Sequence, residues 1–184
     1  MIDNPPIDKI QKHFNFYITS VRPLVEEICT QQLDGYHGLR THTDAVVFRG
    51  IDYSLSLNQD PVPVIFACAF HDMARTNDGF NLTHGADAVP MAQQIMVKFP
   101  KLLDKKAIKS IIYAITNHTN GISAPDYISA CLWDADRTRL SWQYGFDAAF
   151  YNTQRGKQVA SENYEKYINF QKKCIANHIW EKTY

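Results

Sequence analysis

The chain has 184 residues, 45% hydrophobic and 21% charged, and its 19 lysines plus arginines balance 19 aspartates plus glutamates. Those figures fit one soluble domain, residues 1–184, with its own packed core. The zero formal net charge argues against broad attraction to nucleic acid or to an acidic membrane. Residues 1–6 lack the basic start and apolar run of a signal peptide, and no apolar run approaches the ~20 residues of a bilayer-spanning helix. The expectation is a cytoplasmic protein, although export by a route that reads no such signal is compatible with the same features. Cys29, Cys68, Cys131 and Cys174 form no Cys-x-x-Cys pair and read as buried free thiols.

Residues 7–20 carry helical periodicity. Pro23 fits the first turn of a second helix capped by Thr19 or Ser20, and Gly35 marks its end. A third helix is expected over residues 39–57, then a loop over 58–63. Residues 64–70 are continuously apolar, which periodicity leaves open between strand and helix; the lack of strand-like alternation elsewhere favours helix. Asn77, Asp78 and Gly79 make a turn. A helix begins near Thr83, but Pro90 lies too deep for its first turn, so a kink or two short helices should result. Ile108, Ile111, Ile112 and Ile115 mark one apolar helix face, with Asp104 at its positive end and Gly121 and Pro125 closing the region. Residues 158–182 read as one long helix with Tyr164, Ile168, Ile175 and Ile179 inward. The fold class is all-α.

Five of the seven histidines lie between residues 37 and 118. His42, His71-Asp72, His84, His118 and Asp136 form a nitrogen and oxygen donor set that suits manganese, iron, cobalt, zinc or magnesium, and without cysteine it disfavours a structural zinc. Spacing alone leaves each histidine open between ligand and ordinary core or surface residue. His118 continues the apolar face of Ile111 and Ile115, so it must point inward and find a hydrogen-bond partner or a metal.

Four ordered segments carry a more specific signal: His37-Gly38-Leu39-Arg40-Thr41-His42, His71-Asp72-Met73-Ala74-Arg75-Thr76-Asn77-Asp78-Gly79, His84-Gly85-Ala86-Asp87-Ala88 and Asp134-Ala135-Asp136-Arg137. Together, over residues 36–140, they resemble small members of the HD-domain superfamily of metal-dependent phosphohydrolases. The resemblance implies a single helical bundle and one or two divalent ions per chain. It implies His42, His71, Asp72 and Asp136 as metal ligands, with His84 and His118 as ligands of a second metal or as phosphate contacts. His37 and Asp134 fall to supporting roles beside the ligands.

One departure bears on mechanism. Several nucleotide-hydrolysing members of the family carry a glutamate three residues after the aspartate of the doublet, where this chain has Arg75. An i, i+3 pair shares a helix face, so Arg75 is expected beside Asp72, either gripping phosphate or neutralising the carboxylate. Asp78 is then the nearest carboxylate for moving protons. Arg40, Lys105 and Lys106 could add charge at the mouth of the site, and Trp133, Trp142 and Tyr144 flank the last ligand and could stack on a nucleobase, although aromatics at such positions are more often core. The implied activity is hydrolysis of a small phosphate ester or nucleotide by a metal-activated water, with no nucleic-acid or membrane partner. The same resemblance leaves two alternatives: a di-iron oxygenase, or a module that binds a nucleotide or partner without catalysis.

Overall fold

A computed structural model describes residues 4–79, 81–178 and 180. Helix α1 (Ile7–Phe16) runs through a π turn (Tyr17–Val21) into α2 (Arg22–Ile28). A second π turn (Leu39–Thr43) opens α3 (Asp44–Ser56), followed by α4 (Pro61–Phe70), α5 (His84–Asp87), α6 (Val89–Met96), α7 (Lys105–Asn117) and α8 (Tyr127–Tyr144). A 3-10 turn (Ala148–Phe150) leads to α9 (Gln154–Ser161) and α10 (Tyr164–Cys174). Among the described residues there is no strand, so the chain is all-α. No described helix is long and apolar enough to cross a membrane.

Helices α3, α4 and α8 pack against one another at the centre, with α7 against α4 and α8, and α9 against α8. The apolar run 64–70 is the buried body of α4. Asp60 caps that helix by accepting from the Val62 amide at 2.9 Å, and Pro61 fits its first turn, where no amide donor is needed. A helix that is apolar all round belongs in a core, which explains why period two never appears there. Helix α3 is also buried on nearly every side, yet carries Asp44, Arg49 and Asp52. Each has partners, as buried charges require. Tyr17 Oη donates to Asp44 at 2.7 Å, Arg155 Nε donates to Asp52 at 3.0 Å, and Arg49 Nε donates to the Ala135 carbonyl at 2.7 Å.

Several expected boundaries shift. No side chain caps α2, because it continues from α1 through the π turn; Thr19 instead bonds back to the Asn15 carbonyl at 2.8 Å. Helix α2 stops at Ile28, and Gly35 sits beyond it in the following loop with φ +124°. Pro61 and Pro63 lie inside α4, not in the loop expected over 58–63. Pro90 does divide two short helices, α5 and α6. The single helix expected over 158–182 is two helices: the first begins earlier, capped by Thr153, and the chain breaks at Glu162 before Asn163 caps α10. Cap chemistry overrides the continuous apolar spacing there. Ile168 is buried and Tyr164 and Ile175 pack on the core, whereas Ile179 and Lys182 lie outside the described residues. All four cysteines are free, and Cys68, Cys131 and Cys174 are buried.

Candidate metal centre

The donors come from six places in the chain. The π turn at the head of α3 carries His42; extra-residue turns of this kind inside helices often re-aim a functional side chain. His71 and Asp72 leave the C-terminal end of α4. His84 opens α5, His118 ends α7, and Asp136 lies in α8. His37 comes from the loop before the π turn.

Gly85 brings two of these elements together. A Cβ on it would lie 2.1 Å from the Ile115 carbonyl oxygen and 2.9 Å from His118 Nδ1. Only a hydrogen in that place lets α5 rest on the end of α7, where His84 Nε2 and His118 Nε2 are 2.7 Å apart.

Three imidazoles are oriented in one way. Nδ1 of His71 donates to the Cys68 carbonyl at 2.7 Å, Nδ1 of His84 to Asn81 at 2.5 Å and Nδ1 of His118 to Ile115 at 2.7 Å. Each bond fixes the tautomer and leaves Nε2 as a lone pair aimed inward. Asp72 lies between the two groups of rings. Its Oδ1 is 2.9 Å from His84 Nε2 and 3.8 Å from His118 Nε2. Its Oδ2 is 3.5 Å from His71 Nε2, 3.8 Å from His42 Nε2 and 3.3 Å from His37 Nδ1. Asp136 Oδ1 lies 3.1 Å from His42 Nε2 and 3.7 Å from His71 Nε2. Three sets of donors are therefore close enough to hold an ion: His42, His71 and Asp136; Asp72, His84 and His118; and His37, His42 and Asp72.

This donor set fits a divalent metal. Lone pairs of neutral imidazoles, such as those of His84 and His118, repel at 2.7 Å unless a proton or a cation lies between them. Buried nitrogen lone pairs without donors are costly and are what a borderline metal seeks. The charge states of His71, Asp72 and Asp136 agree with this, whereas His118 favours its protonated form. Burial holds the His71 imidazole neutral, its pKa pulled down to about 4. Burial works against ionisation of Asp72, but His71, His118, His37 and His84 outweigh it and hold the carboxyl well below the usual range. The same contest, decided by His42 and His71, lowers Asp136. Burial also opposes a charged His118, yet Asp72 and Asp136 raise its pKa above the ordinary value.

The expected residues do not all gather here. Arg75 does: its Nε donates to Asp72 Oδ1 at 2.8 Å, its Nη1 reaches the Gly79 carbonyl at 3.1 Å, and it lines the cavity over the histidine and aspartate cluster. The neutralising role is thus part of its geometry. Asp78 does not line that cavity; it turns to the 35–38 loop and accepts from the His37 amide at 3.0 Å. Asp134 also departs from expectation. It faces away from the histidines and takes the Asn152 and Thr153 amides at 2.9 and 2.7 Å, so it fastens the chain ahead of α9. His37, expected beside the ligands, joins the cluster itself. Arg40 pairs with Glu26, and Lys105 and Lys106 are exposed at the start of α7, off the cavity. Trp133 is buried, donating to the Ala114 carbonyl, and Trp142 is a packing residue bonded to Val159.

The cavity measures about 180 Å³ and is lined also by Tyr36, Thr119, Arg137, Arg139 and Leu140. Sequence reasoning gave these no role. Helical spacing held the signal for two of them, because Arg139 and Leu140 lie three and four residues after Asp136 and share its face. Arg139 stacks over the Tyr36 ring at 3.4 Å and donates to the Tyr36 carbonyl.

No protein-family model and no curated relative matches the sequence. Among solved structures the chain is similar to one described as a predicted HD superfamily hydrolase from an uncultured Thermotogales bacterium, with a TM-score of 0.62 and 19% identity over 87% of this chain and 92% of that one. The chain therefore shares the all-helical fold of that structure.

Proposed function

We propose that this HD-fold chain is a metal-dependent phosphohydrolase acting on a small phosphate ester. The observation that carries the reading is the bridging position of Asp72, with Oδ1 toward His84 and His118 and Oδ2 toward His42 and His71. His42, His71, Asp136 and one Asp72 oxygen would hold one divalent ion, and the other Asp72 oxygen with His84 and His118 a second. Divalent ions in such a site supply an activated water near neutral pH and positive charge opposite the phosphoryl oxygens.

The chain's own residues do the remaining work. Arg75 keeps Asp72 ionised and oriented, and its guanidinium adds positive charge to the cavity wall beside a bound phosphate. Arg139, braced on Tyr36, adds a second. His37 is the cluster imidazole in contact with solvent, its side chain 22% exposed. It takes the proton-moving role expected of Asp78, passing a proton between bulk water and the leaving-group oxygen.

The test is a screen of divalent metals against phosphate esters, anhydrides and nucleotides, with metal content measured on the same samples. Two ions per chain, metal-dependent release of phosphate and loss of both in Asp72→Ala are expected. Full activity in Asp72→Ala, or two irons with oxygen uptake and no phosphate release, would overturn it.

A further inference from the structure

A larger pocket adjoins the metal cavity and shares Thr119, Arg137 and Leu140 with it. It measures about 480 Å³, within the range of small-molecule sites, whereas the metal cavity is below that range. Its wall includes Ile122, Leu140, Tyr144 and Phe150, which are 63%, 47%, 81% and 51% exposed. Clustered exposed apolar side chains around a concavity mark a binding surface more often than a bare one.

The backbone builds this pocket on purpose. Gly145 ends α8 at φ +106°, a conformation L side chains rarely adopt. That bend folds residues 146–151 back beside the helix. Arg137 then holds the walls together: its Nη1 donates to the Phe150 carbonyl at 3.2 Å and its Nη2 to the His118 carbonyl at 3.2 Å and to Gly121.

Arg137 is the pocket's one cationic lining residue, its Nη1 and Nη2 donating to those carbonyls, and the Asp147 carboxylate also lines the pocket. With a carboxylate set against a single guanidinium, the lining carries no net positive charge to draw a second phosphate. It offers Tyr144 and Phe150 as ring faces, Leu140 and Ile122 as aliphatic surface, and Asn120 and Ser141 as neutral polar groups.

We infer that this pocket holds a planar, uncharged aromatic group of the substrate while the phosphate lies in the metal cavity next door. The inference rests on the phosphohydrolase reading and narrows it to monoesters that carry a flat ring, in preference to polyphosphates and to small aliphatic esters. A nucleoside and a simple aryl group share that chemistry.

The experiment has two arms on the full chain. In the first, the metal-loaded protein turns over phenyl phosphate, adenosine monophosphate, glycerol phosphate and pyrophosphate. Ring-bearing esters should exceed glycerol phosphate by about tenfold in kcat/KM, and Tyr144→Ala and Phe150→Ala should each cut that ratio severalfold. Val97→Ala, an exposed apolar change outside the pocket, should leave the ratio alone. Preference for the nucleotide alone identifies a nucleoside; equal preference for both identifies the ring.

In the second arm, calorimetry compares phenylphosphonate with methylphosphonate on the same variants, without turnover. Phosphate release from glycerol phosphate with a ratio near one, unmoved by either variant, overturns the pocket assignment and leaves the hydrolase reading intact. No turnover of any ester sinks the hydrolase reading. Selective phenylphosphonate binding that Tyr144→Ala abolishes would still support the pocket, and equal binding of the two phosphonates would overturn it.

Discussion

Gly85→Ala tests whether the approach of α5 to α7 assembles the metal centre. The added Cβ would lie 2.1 Å from the Ile115 oxygen, against the 3.0 Å that real Cβ contacts essentially never undercut. The opposing atom is backbone, so it cannot rotate away, and the two helices must part by about 1 Å. Overpacking of this kind costs about 1–3 kcal/mol, which for a chain of this size lowers Tm by about 3–10 °C. The same displacement separates His84 Nε2 and His118 Nε2 from their present 2.7 Å and moves His84 off Asp72. A shift of about 1 Å in a catalytic constellation costs on the order of a hundredfold in rate. Calorimetry of the metal-free protein, followed by metal analysis after dialysis against manganese and assay with phosphate esters, measures all three. The expected result is a lower Tm, one ion fewer per chain and activity down by about two orders of magnitude. Wild-type Tm with wild-type metal content would refute the reasoning, because no rearrangement that keeps both backbones in place accommodates the methyl.

His37→Gln should slow esters with poor leaving groups, such as glycerol phosphate, by about a hundredfold and p-nitrophenyl phosphate much less, with metal content unchanged; loss of an ion on metal analysis would make His37 a ligand instead. Asp134→Ala should lower stability by about 2–4 kcal/mol, since it leaves the Asn152 and Thr153 amides without their acceptor, while metal content stays at the wild-type value; a drop in bound metal would restore Asp134 to the ligands' surroundings. Acid should destabilise the metal-free protein through His71. The unfolded imidazole takes a proton below about 6.5 and the native one only near 4, so stability is complete above 6.5 and falls by about 3 kcal/mol between 6.5 and 4. His118, raised, contributes with the opposite sign, its share being lost as pH rises through its native value. Urea unfolding from pH 7 to 4.5 should therefore show an acid limb that flattens in His71→Gln; an unchanged slope would contradict a neutral, buried His71.

The all-α class was legible because α7 and α1 display their apolar faces at helical spacing and because no run alternates with period two. The cluster was legible because four ordered segments resemble the motifs of a known family, where spacing alone left each histidine open between ligand and ordinary residue. What could not be read was direction. Asp78 and Asp134 lie within a few residues of true cluster members, yet one turns to the His37 amide and the other to Asn152 and Thr153. Sequence proximity to a ligand says nothing about which side of the backbone a carboxylate takes in a loop, or on which face of α8 it falls without a partner to mark the inside. Tyr144 shows the converse. The expectation of core holds for Trp133 and Trp142, whereas a stop at Gly145 leaves Tyr144 exposed on the last turn of α8.

The π turn at residues 39–43 has a consequence for how this centre tolerates change. In a regular helix each residue advances the azimuth by about 100°, so the widened turn, closed by the Thr43 amide on the Gly38 carbonyl at 3.2 Å, is a phase offset between the loop and α3. Helix α3 is locked in the core by Arg49 on the Ala135 carbonyl, one residue before Asp136, and cannot rotate to absorb a correction. Deleting a residue from the turn would restore a regular helix and swing everything ahead of α3 by that angle, carrying His42 and His37 around the barrel of the bundle. The length of this segment is as fixed as the identity of its histidines, and an alignment gap there would mark a different centre.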